Sequence, residues 1–242
     1  MHRLLRREDL AGDRRLQQRH SAHATPSLVA TGPNQIWTWD ITKLKGPRTG
    51  IVDYACVIID MYSRAVVGWM VAERESEILA AELIRETCRR QNIEPNPLVI
   101  HADRRSAMRS KTVADLLTAL EIGKSHSRPY CSNDNPHIEC PFKTMKYRPT
   151  FPKRFGSIAD ARQFCREFFV WHNTEHRHSG IASLTPGNIH NHQADEVLRA
   201  RDRALTNAYS RHPERFVHGH PTAERLPEAV WINKPNQPEL TV

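Results

Sequence analysis

The chain has 242 residues, with 35 Lys+Arg against 27 Asp+Glu and a formal net charge of +8. That length allows one sizeable domain with extensions, and a hydrophobic content of 39% is enough for a core. No run of ~18 apolar residues occurs, and Met1-His2-Arg3-Leu4-Leu5-Arg6-Arg7 lacks a signal peptide's apolar stretch, so membrane and secretory readings drop out. The five cysteines, Cys56, Cys88, Cys131, Cys140 and Cys165, are scattered without C-x-x-C pairing, which suits a reducing cytoplasm. Surplus positive charge points to a polyanionic partner, most often nucleic acid.

Residues 1–32 read as a basic arm or linker: positions 1–20 carry six arginines against three acids, and Pro26 and Gly32-Pro33 break any helix. Residues 35–42, 53–60 and 65–72 are dense in Val, Ile, Trp or Tyr and are separated by turn residues, which predicts three consecutive antiparallel strands. Ile78, Leu79 and Leu83 at helical spacing predict a helix over 75–91, and the apolar run 98–102 predicts a strand. Further along come a helix over 111–120, a brief strand over 122–126, and a helix over 136–147 preceded by the cap-rich Ser132-Asn133-Asp134-Asn135. Helices follow over 157–173 and 194–210, the latter leading into a Pro-rich tail. The core is bounded at 33–192, with 193–242 as a C-terminal helix and tail.

Three acids stand out by placement. Asp40 interrupts the apolar strand Ile36-Trp37-Thr38-Trp39-Asp40-Ile41, where an ionised carboxylate is costly unless it is paired or binds a cation. Asp103 ends a second apolar strand, and Glu139 sits on the helix after an Asn/Asp/Pro loop. Mg²⁺ takes oxygen ligands and needs only a few carboxylates, so three acids converging from two strands and a helix could hold one or two ions for phosphoryl transfer. In a helix from Pro136, Lys143 and Lys146 fall at i+4 and i+7 from Glu139, on its face. Residues 143–154 hold five basic residues and no acid, interleaved with Tyr147 and Phe151, as a phosphate-tracking surface requires.

The string Asn34-Gln35-Ile36-Trp37-Thr38-Trp39-Asp40-Ile41-Thr42 resembles the first-aspartate strand of bacterial insertion-sequence transposases with the retroviral-integrase core, particularly insertion-sequence family three. Val57 to Arg64, with Val67-Gly68-Trp69, is similar to that family's next hairpin. His101-Ala102-Asp103-Arg104 matches its second-aspartate motif, and Ser132-Asn133-Asp134-Asn135-Pro136 leading to Glu139 its third. Trp171-His172-Asn173 through Thr185-Pro186 resembles its closing helix and turn. The resemblance implies an α/β, RNase H-like fold with a mixed five-stranded sheet flanked by helices. It also implies Asp40, Asp103 and Glu139 as a catalytic, metal-binding DDE triad for Mg²⁺ or Mn²⁺. Lys143, Lys146, Arg148 and Arg104 would contact DNA, and a homo-oligomer would bring two element ends together in the bacterial cytoplasm, at the nucleoid.

The chain departs from that pattern at several points. The family motif is Asp-Arg-Gly, but the chain reads Asp103-Arg104-Arg105, and a left-handed Arg costs ~1–2 kcal/mol where Gly fits. Pro141 lies about two turns into a helix capped by Asn135, where it removes a donor and crowds the His137 carbonyl at ~3 kcal/mol. The helix could instead begin at Pro141, leaving Glu139 in a loop. His137 and Ile138 replace a usual tyrosine and small polar residue, His172 replaces a tyrosine, and residues 1–30 resemble only the trailing end of a helix-turn-helix region. The expectation is a truncated, partly decayed transposase copy. The alternatives are a DNA-binding remnant without activity and a nuclease that never joins strands.

Other constellations carry less. His126, Cys131, His137 and Cys140 contain zinc-type ligands but lack paired knuckles. His172 and His176 read as surface or DNA-facing, while Trp37, Trp39 and Trp69 read as core. Ser63 and Ser106 lack a nucleophile-elbow context, and no Gly-rich phosphate loop occurs.

Overall fold

The structure, a computed structural model, describes residues 24–93, 98–104, 106–129 and 131–235. The expected arm over positions 1–23, Arg105 and the last seven residues lie outside the described residues. In chain order the strands are β1 (Leu28–Ala30), β2 (Ile36–Lys45), β3 (Val52–Asp60), β4 (Val66–Ala72), β5 (Val99–Ala102), β6 (Gly123–His126) and β7 (Val230–Ile232). The helices are α1 (Glu77–Arg90), α2 (Ser106–Arg109), α3 (Lys111–Ala119), α4 (Pro136–Lys146), α5 (Ile158–Thr174), α6 (Pro186–His190) and α7 (Ala194–Arg211).

The main sheet has the order β4-β3-β2-β5-β6. β2, β3 and β4 are antiparallel neighbours, whereas β5 runs parallel to both β2 and β6. This is the mixed five-stranded sheet of the RNase H-like fold. Both faces of the central β2 are covered: Trp37, Trp39 and Ile41 pack with Ile58, Leu83, Ile84 and Leu117 on one side. On the other, Leu44 packs with Val57, Ile59, Ile138, Phe142, Met145 and Phe168. Helices α1 and α3 thus cover one face, and α4 and α5 the other, as a sheet with parallel pairs requires. Trp37 and Trp39 are fully buried, as read from the sequence, and Trp69 is half-buried against Phe169.

Two segments depart from the sequence reading. Leu28–Ala30, placed there in the basic arm, is a strand that pairs antiparallel with Val230–Ile232 of the expected tail. The two strands share a small core with Ile36 and Met61. Three residues from each end of the chain carry too little periodic signal to announce a pairing about 200 positions apart.

Gly68 on β4 is required by close packing of α1. A Cβ there would lie 2.1 Å from the Thr87 hydroxyl, which itself donates to the Leu83 carbonyl at 2.7 Å. Gly68→Ala is therefore expected to destabilise the fold by about 2 kcal/mol, and Gly68→Ala/Thr87→Ala to recover part of that loss, as read by thermal denaturation.

Candidate functional site

The candidate site forms where β2, β5 and α4 meet. Trp39 pairs with Ala102 at the last registered position of the parallel β2/β5 ladder, so Asp40 and Asp103 each come one residue after that pair. Asp40 is half-buried in mid-strand, with its carboxylate accepting from the Ile41 amide at 2.7 Å. Asp103 is half-buried at the carboxyl end of β5, where the strand gives way to a loop.

Helix α4 brings the third carboxylate. It starts at Pro136 and runs unbroken to Lys146 with Pro141 inside it, so Glu139 sits on the helix and not in the preceding loop. Ile138, Phe142 and Met145 anchor one stripe in the core; Glu139, Lys143 and Lys146, one position on, share the neighbouring stripe. Asn135 is the N-cap, but its side chain makes no capping bond and instead reaches the Trp39 carbonyl at 3.5 Å. Pro141 leaves the His137 carbonyl without its helical donor, while its buried ring contributes packing. Pro141→Ala is expected to raise stability by about 2 kcal/mol, the restored hydrogen bond and relieved crowding outweighing the lost ring contact. Chemical denaturation reads this directly.

Local electrostatics centre on the lysines. Lys143 lies 4.0 Å from the Glu139 carboxylate in an exposed pair, a contact of little energetic weight. Partial desolvation pushes the Lys146 ammonium below its usual range, and the negative charge of nearby Asp40 opposes that shift. Lys146 is thus the cation that accompanies Asp40, and Lys143 the one that accompanies Glu139. Arg148 is held differently: its guanidinium stacks 3.9 Å from the Trp171 ring centroid and 5.8 Å from that of Phe168. Arg104 is exposed beside Asp103.

The carboxylates share a neighbourhood without being drawn together: among the described residues, no three of His, Cys, Asp and Glu form a metal-sized group. The donor set itself, three carboxylates from three adjoining elements, is the kind that hard divalent ions take. Nor are the zinc-type ligands gathered. His137 bonds the Arg64 guanidinium through Nδ1 and donates from Nε2 to the Trp231 carbonyl at 3.1 Å, while Cys131 accepts from Arg128 at 3.3 Å.

A network not apparent in the sequence holds the loop ahead of α4. Asp134 is fully buried and accepts from the Arg128 amide (2.8 Å), Nε (2.9 Å) and Nη2 (2.9 Å), and from Asn233 Nδ2 (2.7 Å). The Asp134 carbonyl meets His101 Nε2 on β5 at 2.8 Å. His172 also differs from its reading as surface or DNA-facing. It is 1% exposed, donates from Nε2 to the Arg64 carbonyl at 3.1 Å, and is lowered by burial to about 4. Aromatic neighbours on α5 hide it: Phe168, on the same helix face, stacks on its ring.

Comparison with known proteins decides the family. Models described as integrase core domain match residues 30–132 and 120–186. The chain belongs to the integrase core family. Within it, this integrase core is 29% identical over 167 residues to the transposase of insertion sequence element IS904 from Lactococcus lactis, covering 66% of this chain and 65% of that protein. It is likewise 29% identical over 165 residues to transposase InsF of insertion sequence IS3A from Escherichia coli, covering 68% and 56%. The chain thus spans 65% and 56% of the length of these curated relatives, and the resemblance to insertion-sequence family three holds as distant homology. Among solved structures, a chain of the simian T-cell lymphotropic virus intasome in complex with PP2A regulatory subunit B56 gamma superposes with a TM-score of 0.54. It is 18% identical and covers 72% of this chain and 60% of that one, a likeness of fold. Among the described residues, no helix is long and apolar enough to cross a membrane.

Proposed function

We propose that this integrase core cuts DNA at insertion-element ends and joins it to target DNA, by metal-dependent phosphoryl transfer. Asp40, Asp103 and Glu139 would hold one or two Mg²⁺ or Mn²⁺ ions, which supply Lewis acidity to an in-line displacement at phosphorus. The observation that supports the reading is the β2/β5 register, in which Trp39 and Ala102, the residues just before Asp40 and Asp103, are paired, with the helix bearing Glu139 packed on the same sheet. Lys146, beside Asp40, would supply a cation for a phosphate oxygen, and Lys143, paired with Glu139, would supply another. Arg104 extends the cationic surface beyond Asp103, whereas Arg148 contributes through its stack on Trp171, which leaves its outer edge to meet a phosphate. Two copies of the chain would hold two DNA ends in the bacterial cytoplasm, at the nucleoid.

The proline inside α4 favours one second reading, a DNA-binding remnant without turnover. The full chain incubated with labelled duplexes carrying the element's ends, in Mg²⁺ or Mn²⁺, separates the readings. Cleaved and joined products are expected. Salt-dependent binding without products selects the remnant, and cleavage with no joined species selects a nuclease.

A further inference from the structure

Five cations surround a cavity of ≈ 520 Å³ beside the candidate site: Lys43 and Lys45 from β2, Lys146 from α4, and Lys153 and Arg154 from the α4–α5 connector, with Phe151 among the lining. No carboxylate lines it among the described residues. Gathering five like charges is unfavourable unless a polyanion offsets them.

The walls are fixed. The Phe155 amide donates to the Lys45 carbonyl at 2.9 Å, which docks the connector along β2. Arg154 donates to the Gly46 carbonyl at 3.2 Å and to the Thr49 hydroxyl at 3.0 Å, so both acceptors are neutral and its charge stays available. Lys43 and Lys45 are exposed and two positions apart on an extended strand, ~7 Å from one another. One DNA strand advances by about two phosphates over that length. Lys146 belongs to both the cavity and the carboxylate neighbourhood.

We propose that Lys43, Lys45, Lys153 and Arg154, with Lys146, form a groove for the phosphodiester backbone of duplex DNA, continuing the track away from the carboxylates along β2. This rests on the reading that the chain handles DNA; it adds where the duplex lies.

The test is the salt dependence of duplex binding by the full chain, unmodified and as Lys43→Gln/Lys45→Gln/Lys153→Gln, with melting curves to verify folding. Each lost phosphate contact removes about 0.9 from the slope of log K against log salt, so the triple variant is expected to be shallower by about 2–3 and at least ~10-fold weaker. The corresponding triple arginine variant is expected to keep the original slope. An unchanged slope in the glutamine variant, with Lys143→Gln still lowering it, overturns the groove and leaves the DNA reading standing. A slope lost equally in the arginine variant overturns it too, because charge is then not what binds. Absence of salt-dependent binding by the unmodified chain removes both.

Discussion

Asp40→Asn and Glu139→Gln are each expected to lower metal-dependent DNA cleavage roughly 10³-fold, while DNA affinity stays equal or rises. Each exchange keeps the side chain's size and removes the charge that a divalent ion needs, so the loss falls on stabilisation of the displacement. Affinity does not fall because a negative charge leaves the surface that faces phosphate. Stability is expected to hold or increase slightly, since Asp40 and Asp103 carry like charge and each follows directly on the Trp39/Ala102 pair of the β2/β5 ladder. Single-turnover cleavage, fluorescence anisotropy and thermal melting check the three parts. Unaltered cleavage in either variant would remove that carboxylate from the chemistry.

Asp134→Ala is expected to cost about 3 kcal/mol and lower the melting temperature by roughly 10 °C. The carboxylate is fully buried and accepts four hydrogen bonds, so truncation strands the Arg128 and Asn233 donors together. The effect reaches function because this loop leads directly into α4, and loosening it lets the Glu139 helix wander from β2. Asp134→Asn, which keeps the shape, is expected to lose less. The bonds from Arg128 hold the Asp134 carboxyl well below the usual carboxylate range. A depressed folded-state value means the contribution is fully present above about pH 4, the unfolded value, and fades as pH falls below it. The unmodified chain is therefore expected to lose stability on acidification more steeply than Asp134→Asn, which denaturation at several pH values measures.

Which features could be read from the sequence follows from how local their signals are. Asp40 stood out because a carboxylate inside the largely apolar run Ile36-Trp37-Thr38-Trp39-Asp40-Ile41 is anomalous by itself, and the three antiparallel strands were legible from their β-branched runs and turns. The face of α4 was equally legible, since Glu139, Lys143 and Lys146 need only the helical period. Proline suggested a break at residue 141, but packing of Ile138, Phe142 and Met145 against the sheet overrides that local preference. Asn233 and Asp134 are 99 positions apart, and no pattern in one announces the other. Lys43 and Lys45 carried no signal until β2 was placed beside the α4–α5 connector. The basic run over 143–154 was visible, whereas the capture of Arg148 by Trp171 depends on how the α4–α5 connector packs on α5.

The most direct measurement is anomalous diffraction from crystals of the full chain grown with Mn²⁺. The account expects a manganese peak at ordinary oxygen-ligand distance from the carboxylates of both Asp40 and Asp103, with Glu139 swung from Lys143 towards it. Saturating manganese that settles elsewhere, with those two aspartates still apart from any ion, would contradict it.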